Sequence, residues 1–479
     1  MTSPNNSLPS AITSIGVKGF KSIRDLQTIA IAPLTVLAGA NSSGKSSVIQ
    51  PLLLMKQTIE APYDPGPLLI KGPYASFTSV DQFLFNGGLG SRESGFEVEI
   101  RLDNDEVVGC RFNAIDQKGV YPIELEWTRY HVSNDTLRLW LDMEAGEIRS
   151  QLEHSRGGYK RQLEIESKRE NVEPGAQRNR CFIEPHIYYK DPNSGFKSAE
   201  SGWIPTARLI MIELDTLMYL PAERGGPKRT FELRYLPKVI GGLFHDYTAS
   251  VIFQWGIAEP KGERYLQLQH DLAELGLTGS IEASLINPVE LELRVGRQPV
   301  RAKPVKPLKN GSPKRRGSRN KENELVNLAD VGVGVSYALP VVTALIAAMP
   351  NQLVYIDQPE LHLHPRAQVA MASLLAKAAK RGVRVIVETH SAMLVLAIRA
   401  LVAEKVLSPD QVKLHWFQRD DDGATNVTTA ELDEFGRQGD WPGDFSDVAL
   451  ETQGRYLDSV QPIFQSKPKS KPTVASRLS

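Results

Sequence analysis

The stretch that decides the fold is "LTVLAGANSSGKSSVIQPLLL", Leu34 to Leu54. An apolar strand pattern runs into a glycine-containing turn, and a helix pattern with an apolar face follows at once. Gly39, Gly44, Lys45 and Ser46 satisfy the spacing G-x-x-x-x-G-K-[ST], in which backbone N–H groups converge on phosphate oxygens. The helix N-terminus adds positive potential, and Lys45 reaches the outer phosphates. A chance match in a glycine turn is the alternative, but the flanking strand and helix favour nucleotide binding.

The loop and a distant strand together predict a nucleotide and magnesium site. The residues predicted to contact the nucleotide from the loop are Gly39, Asn41, Ser43, Gly44, Lys45, Ser46 and Ser47. The Ser46 hydroxyl is expected to ligate magnesium, and a second ligand should end a neighbouring buried strand. The pattern "LVYID" supplies that ligand in Asp357. Taken alone, Asp357 could be a strand-end cap, but its pairing with the loop favours a metal ligand.

Two distal motifs add candidates. In "ETHS", Glu388 to Ser391, a histidine ends the strand pattern "VRVIVE" and could reach a γ-phosphate, although a strand-end histidine is often structural. In "DVGVGVSYALP", Asp330 to Pro340, two glycines and Ser336 open a helix. The G-x-G is too short for a dinucleotide fingerprint, but it suits a helix N-terminus directed at an anion on another subunit.

Composition indicates an ordinary globular protein in a reducing compartment. The 479 residues are 41% apolar and 23% charged, which allows two or three domain-sized units or one split domain. The only cysteines are Cys110 and Cys181, so a disulfide framework or a cysteine-based zinc site is not expected. The N-terminus lacks a secretory pattern, and the longest apolar run, 338–349, is too short to span a bilayer. We therefore expect a cytoplasmic protein.

The formal net charge of zero hides one strongly basic segment. Residues 301–321 contain nine Lys/Arg and no acid, which leaves 56 − 9 = 47 basic against 56 acidic residues elsewhere. The segment is rich in Pro and Gly, so it should be a mobile loop. It could contact DNA phosphates, bind an acidic protein, or be only solvated.

Hydrophobic periodicity outlines the organisation of the chain. Short alternating runs between 97 and 167, including "GEIRSQLEH", predict an antiparallel sheet, and "ARLIMIELDTLMYL" predicts a strand. Residues 229–286 are predicted to be mostly helical. From residue 325, helices and strands alternate, which predicts a parallel sheet with crossover helices; their predicted bounds are 332–349, 353–357, 365–381, 383–389 and 391–405.

Taken together, the motifs resemble the ABC-type ATPases of the RecF, SMC and overcoming-lysogenization-defect (OLD) group. The matching pieces are "GFKSI", "GANSSGKSS", "YLPAERGGP", "DVGVGVS", "IDQPELHLHP" and "ETHS". The likeness is greatest to stand-alone bacterial members with the "QPELHLHP" form and a tail like "ELDEFGRQGDWPGDF", Glu431 to Phe445. It covers about residues 12–95, 219–227 and 325–445.

The resemblance implies an α/β fold: an ABC-type P-loop nucleotide-binding domain split by an insertion, with an antiparallel β subdomain and a helical lobe. The expected units are an ATPase part (12–95), a β subdomain with a variable insertion (96–228), a helical lobe and strand (229–298), a basic loop (299–324), the second ATPase part (325–445) and a tail (446–479).

The resemblance also assigns roles at an interface between two copies that sandwich ATP. The implied signature residues, which contact the partner's γ-phosphate, are Gly332, Gly334 and Ser336. Leu363, His364 and Pro365 would form the adjoining interface loop, and this is favoured over a metal site at His362 and His364. His390 is the implied switch histidine. Gln82 is the candidate Q-loop glutamine and metal ligand, and Arg224 could approach the nucleotide or the helical lobe.

The residue after the metal aspartate is unusual for the group. It is usually a glutamate that polarises the attacking water, whereas Gln358 can orient water but cannot accept a proton. Hydrolysis could be slow, Glu360 could act as the base, or nucleotide could be a structural clamp; we favour slow hydrolysis. The predicted catalytic residues are Lys45, Asp357, Gln358, Glu360 and His390.

The resemblance implies anti-phage defence, in which such ATPases control a separately encoded nuclease or toxin. No nuclease is evident within this sequence: Asp420 and Asp422 in "RDDDG" are better explained by a hairpin turn. The alternative is a DNA-repair or chromosome-associated DNA-binding ATPase, for which the basic segment is the best support. We expect ATP, Mg²⁺, further copies of the chain and an effector protein as partners, and no membrane.

Overall fold

The computed structural model describes the chain in segments. These are residues 11–87, 93–115, 122–132, 135–153, 172–190, 197–201, 205–224, 226–258, 262–296 and 325–439. The predicted basic loop and the tail after residue 439, including its tryptophan–proline motif, lie outside them. Within these segments, no helix combines the length and apolarity needed to cross a bilayer.

A seven-stranded sheet forms the centre of the fold. Its order is β13-β11-β17-β18-β3-β19-β20, and all pairs are parallel except the β19–β20 hairpin. The strands are β3 (Leu34–Gly39), β11 (Met218–Leu220), β13 (Gly242–Leu243), β17 (Leu353–Asp357), β18 (Arg384–Thr389), β19 (Val412–Arg419) and β20 (Thr425–Ala430). β3 is buried along its whole length, as expected for a strand covered on both faces. The predicted parallel sheet is confirmed.

The helices that flank this sheet lie close to their predicted bounds. They are α1 (Lys45–Glu60), α6 (Val333–Ala347), α7 (Pro365–Lys380) and α8 (Ala392–Ala403). The sequence explains the starts of the last two, because His364 caps α7 ahead of Pro365 and the Ser391 hydroxyl caps α8.

A six-stranded antiparallel sheet packs beside the P-loop helix. Its order is β2-β1-β4-β5-β6-β7, formed by β1 (Ile12–Lys18), β2 (Gln27–Ala30), β4 (Gly95–Leu102), β5 (Val107–Ala114), β6 (Ile123–Val132) and β7 (Asp135–Leu139). Phe20 anchors its core, with ring centroids 5.7 Å from Phe83 and 5.2 Å from Phe96. A smaller antiparallel sheet contains β8 (Val172–Asn179), β9 (Phe182–Lys190) and β10 (Lys197–Ser201).

Two segments predicted as strands are helices. "GEIRSQLEH" lies largely in α2 (Ala145–Glu153), and "ARLIMIELDT" lies in α3 (Pro205–Thr216). In α3 the buried positions Ala207, Ile210 and Leu214 recur every three or four residues, which is helical spacing. The dense apolar run obscured that period, so the strand prediction was wrong.

The region predicted as mostly helical is mixed. It contains α4 (Thr248–Ala258) and α5 (Glu263–Glu274). They pack with an antiparallel sheet made of β12 (Phe231–Glu232), β14 (Ile281–Asn287), β15 (Glu290–Gly296) and β16 (Leu325–Asn327). The predicted fold class, an α/β domain with parallel and antiparallel sheets, is confirmed, whereas the predicted domain bounds stay a prediction.

Glu213 on α3 makes folding stability depend on pH. The residue is 1% exposed, and neither carboxylate oxygen has a hydrogen-bond partner. Burial raises its pKa to about 8, against the opposing effect of Arg384. The folded state therefore holds a proton that the unfolded chain releases near pH 4.5. The contribution of this proton to the free energy of unfolding is fully present below pH 4.5 and is lost as the pH rises through about 8.

We expect the midpoint temperature of thermal unfolding to decrease as the pH is raised from 5 to 9. Glu213 should contribute on the order of 5 kcal/mol to the accompanying loss in the free energy of unfolding. Glu213→Gln should reduce the dependence of this midpoint on pH, because the amide does not titrate. Thermal unfolding across the pH range measures the effect, with the exposed Glu263→Gln as the control. An unchanged dependence on pH in Glu213→Gln contradicts the assignment.

Candidate nucleotide-binding site

The loop between β3 and α1 requires its two glycines. Gly39 has φ 152°, and a side chain there would collide with the Phe417 carbonyl and the Ser43 hydroxyl. Gly44 has φ 99°, and a Cβ would lie 2.7 Å from the Ser22 hydroxyl oxygen. Both angles are in a region that favours glycine, so the sequence folds into this tight loop where other residues would be strained.

The loop borders an open cavity of about 560 Å³. Its lining residues are Lys21, Ser22, Asn41, Ser42, Ser43, Gly44, Lys45, Ser46, Ser47, Gln50, Asp357, Gln358, Glu388, His390 and Arg419. The structure therefore brings most of the predicted loop residues together with Asp357, Gln358 and His390. The size is within the range of small-ligand sites.

Strand register explains why these distant residues meet. In the parallel sheet, Asp357 of β17 pairs with Glu388 of β18, and Glu388 pairs with Leu37 of β3. The loop after β3 and the carboxyl ends of β17 and β18 are therefore neighbours, at the edge where parallel α/β sheets bind ligands.

Three cations line the cavity, which suits a polyanionic ligand. Lys45 is 3% exposed, and its ammonium donates to the carbonyls of Gly39 (3.1 Å) and Ala40 (2.8 Å). Burial lowers the pKa of Lys45, and Glu388 and Asp357 oppose that shift. Lys21 and Arg419 supply the other two charges.

Asp357 fits a divalent cation. Burial, and then the charge of Glu388, raise its pKa to about 7. Its Oδ1 atom is buried and has no hydrogen-bond partner. A hydroxyl with carboxylate oxygens is a donor set that suits Mg²⁺, and a metal would pair the orphaned oxygen. The residues present therefore fit the group that the P-loop implies.

Glu388 is the lining residue that connects the loop to the sheet. Its Oε1 accepts a hydrogen bond from the Ser46 hydroxyl (2.9 Å), and its Oε2 accepts one from the Tyr355 hydroxyl (2.8 Å). The residue is 4% exposed, and burial raises its pKa.

Glu360 lies behind the cavity and is not one of its lining residues. Its Oε1 accepts hydrogen bonds from the Thr389 hydroxyl (2.7 Å) and the His390 backbone N–H (2.9 Å). The carboxylate therefore holds the backbone that presents His390. Burial and the nearby Lys45 lower the pKa of His390, which keeps the imidazole neutral at pH 7.

Gln358 and Arg224 form a strained junction at the end of β17. Gln358 has φ 47°, a left-handed conformation that costs energy in a non-glycine residue. The Arg224 guanidinium is buried and donates to the carbonyls of Asp357 (2.7 Å), Gln358 (2.8 Å) and Tyr337 (3.2 Å). Burial lowers the pKa of Arg224 to about 10, so the side chain stays charged at pH 7. Arg224 thus joins the metal-ligand strand to α6.

The predicted signature segment begins α6 and packs on the predicted interface loop. Gly332 is exposed, whereas Ser336 is 6% exposed and its hydroxyl has no hydrogen-bond partner. A Cβ at Gly334 would lie 3.0 Å from the His362 carbonyl oxygen. The predicted contact of Ser336 with a partner's phosphate therefore requires a movement of the helix, whereas Gly332 and Val333 are already exposed.

Gln82 is not brought into the cavity. It ends a short 3₁₀ helix, and its amide bonds to the backbone N–H and hydroxyl of Thr78, each at 2.8 Å. Its predicted role as a metal ligand stays a prediction. Asp420 and Asp422 lie in the β19–β20 turn, where Asp422 pairs with Arg24, so the hairpin prediction is confirmed.

Sequence reasoning missed several lining residues. They are Lys21, Ser22, Ser42, Gln50, Glu388 and Arg419. Lys21 and Ser22 belong to the quoted "GFKSI", and Glu388 opens the quoted "ETHS", so motif membership was an available signal. No sequence signal indicated that Arg419 belongs to the site, because hydrophobic periodicity does not reveal that β19 lies next to β3.

Two family models of ATPase domains match separate parts of the chain, each over about a third of its length. The model of the "AAA ATPase domain" family matches residues 11–174, and that of "AAA domain, putative AbiEii toxin, Type IV TA system" matches residues 233–397. A third model, "Protein of unknown function (DUF3696)", matches residues 407–450. No curated protein is similar enough in sequence to count as a relative.

Solved structures similar to the chain include heads of SMC proteins. One is the SMC head domain from Thermotoga maritima (11% identity, 88% of this chain, 100% of that chain, TM-score 0.37). Another is the Smc head domain with an extended coiled coil from Pyrococcus furiosus, bound to the C-terminal domain of ScpA (15% identity, 94% of this chain, 100% of that chain, TM-score 0.40). A third is an Smc head bound to the C-winged helix domain of ScpA (14% identity, 88% of this chain, 98% of that chain, TM-score 0.44).

The loop glycines give a direct test of the site geometry. Gly44→Ala should lower the free energy of unfolding by about 2 kcal/mol or more and weaken nucleotide binding, because its Cβ has no room and the left-handed backbone is strained. Gly146→Ala in α2 is the matched control, since nothing lies within 4 Å of its Cβ. Denaturant unfolding and titration with a fluorescent ATP analogue measure both. Equal stability and affinity for the two variants would contradict the geometry.

Proposed function

We propose that this chain binds Mg²⁺·ATP in the cavity beside the P-loop, that two copies close over the nucleotide and hydrolyse it slowly, and that closure controls a separately encoded nuclease or toxin in prokaryotic anti-phage defence. The observation that carries the proposal is the cavity itself, where three cations face two buried carboxylates. That arrangement suits a triphosphate with a divalent metal better than a neutral ligand.

Each side chain has a proposed role that its position supports. Backbone N–H groups of the loop and the Lys45 ammonium bind the phosphates. Ser46 and Asp357 hold Mg²⁺, which when bound neutralises charge on the phosphate oxygens. His390 lines the cavity as a neutral imidazole, which can donate a hydrogen bond to the terminal phosphate or to water.

The proposal of slow hydrolysis is supported by the residues that line the cavity. The amide of Gln358 lines it and can orient water, but a carbonyl oxygen is too weak a base to accept the proton. Glu360 does not line the cavity, which favours a positioning role over a basic one. Its Oε1 accepts from Thr389 and His390, and its Oε2 is buried without a hydrogen-bond partner. A water molecule bound beside Gln358 would therefore be oriented and only weakly activated.

Closure of two copies is supported by an exposed surface at the start of α6. The start of α6 presents Gly332 and Val333, the latter 45% exposed, and the interface loop presents His362 and His364. The rings of Tyr337 and His362 pack edge-to-face with centroids 4.6 Å apart, so helix and loop form one surface. A helix N-terminus there would attract the phosphate of a nucleotide held by a second copy.

The defence role rests on likeness rather than on geometry. The sequence resembles defence-type ATPases, and the family model matching residues 233–397 is described by its link to a toxin of a type IV toxin–antitoxin system. The rival role, DNA repair or chromosome association, depends on the basic segment 301–321, which lies outside the described residues. Experiments with a partner and with DNA separate the two.

Gln358→Glu tests the assignment of slow turnover. We expect phosphate release at saturating Mg²⁺·ATP to rise by about 100-fold or more, because the isosteric carboxylate can accept the proton from water. The same substitution combined with Lys45→Ala should be inactive, which excludes a contaminating ATPase. Unchanged turnover in Gln358→Glu, together with its loss in Glu360→Gln, would instead assign the base to Glu360.

Light scattering with and without ATP and Mg²⁺ tests the assembly. The wild type should increase in mass with ATP, whereas Lys45→Ala should not, and the exposed Lys405→Ala should behave as wild type. A nuclease or toxin encoded beside this chain should co-purify only in the ATP-bound state. No mass change in the wild type contradicts assembly. Binding of duplex DNA without a partner, with a steep salt dependence, favours the repair role instead.

A further inference from the structure

Glu388 occupies a position that the P-loop motif does not account for. Among the described residues, no lysine or arginine nitrogen lies within 4.0 Å of its carboxylate. Its two hydrogen bonds come from neutral hydroxyls, those of Ser46 and Tyr355. The nearby Lys45 favours the charged form of Glu388, but the residue is only 4% exposed and both of its hydrogen bonds come from neutral donors, so the site favours the arrival of a further cation.

The direction of the hydrogen bond from Ser46 matters for metal binding. The Ser46 hydroxyl donates a hydrogen bond to Glu388 Oε1, which leaves the lone pairs of Ser46 Oγ free to bind a metal ion. A carboxylate that accepts a proton from a metal ligand orients that ligand and makes it a better donor. Glu388 is also the strand partner of Asp357, whose Oδ1 is buried without a partner.

The charge of Glu388 also offsets the neutral residue at position 358. Gln358 leaves the end of β17 with a single carboxylate facing the cavity, that of Asp357. The other carboxylate that lines the cavity is Glu388, one strand away. The lining residues thus include two carboxyl groups, although one of them comes from β18.

We propose that Glu388 is the second carboxylate of the magnesium site, a positioning residue that orients the Ser46 hydroxyl and supplies the negative charge that Gln358 lacks. This inference rests on the proposed binding of Mg²⁺·ATP. It adds that metal affinity depends on a residue of β18, outside both the loop and the aspartate of β17.

The test is Glu388→Gln, measured by nucleotide binding rather than turnover. The amide can keep both hydrogen bonds, accepting from Ser46 and donating to Tyr355, so the fold should persist and only the charge is lost. We expect the Mg²⁺ concentration that half-saturates the enhancement of ATP-analogue binding to rise by about 10-fold or more. The affinity for the analogue without metal should stay within about twofold of wild type.

Tyr355→Phe is the matched control. It removes the hydrogen bond to Glu388 Oε2 but keeps the charge, the contact with Ser46 and the ring stacking on Tyr219 at 5.2 Å. Its Mg²⁺ dependence should remain close to that of wild type, and thermal unfolding checks both variants. If wild type binds the analogue with Mg²⁺ and Glu388→Gln has the same Mg²⁺ dependence, the role of Glu388 is overturned. If wild type binds no nucleotide, the proposed function itself fails.

Discussion

The site depends on one constraint, the parallel register of β3, β17 and β18. Because Asp357 lies beside Glu388 and Glu388 beside Leu37, three strand ends deliver a phosphate loop and two carboxylates to one cavity. A one-residue slip of β17 or β18 would turn these side chains to the opposite face of the sheet. The buried strands that fix the register are thus part of the site, because β17 and β18 carry the two carboxyl groups that line its cavity.

The same arrangement concentrates uncompensated charge and strain where a ligand can relieve them. Asp357, Glu388 and Lys45 are all largely buried, and the pKa of each is shifted toward its neutral form by burial. Gln358 adds a left-handed backbone at the end of the strand. Arg224 ties this strained end to α6, because its guanidinium donates to backbone carbonyls of both.

The sequence predicted the elements whose patterns are local and strong. The loop, the strand 353–357 and the helix that begins at Pro365 follow from spacing, β-branched runs and caps, and the structure places them at or near the expected residues. Periodicity failed for α3, where a dense apolar run conceals helical spacing. It also could not reveal strand order, which is why Arg419 and the alignment of Glu388 with Ser46 appear only in three dimensions.

The central claim is that a nucleoside triphosphate and Mg²⁺ occupy the cavity between the loop at 39–47 and the ends of β17 and β18. A crystal structure with a non-hydrolysable ATP analogue and Mg²⁺ tests it most directly. Phosphate density is expected against the loop N–H groups, with a metal ion held by Ser46 and Asp357. An empty cavity at saturating analogue, or nucleotide bound elsewhere on the chain, would contradict it.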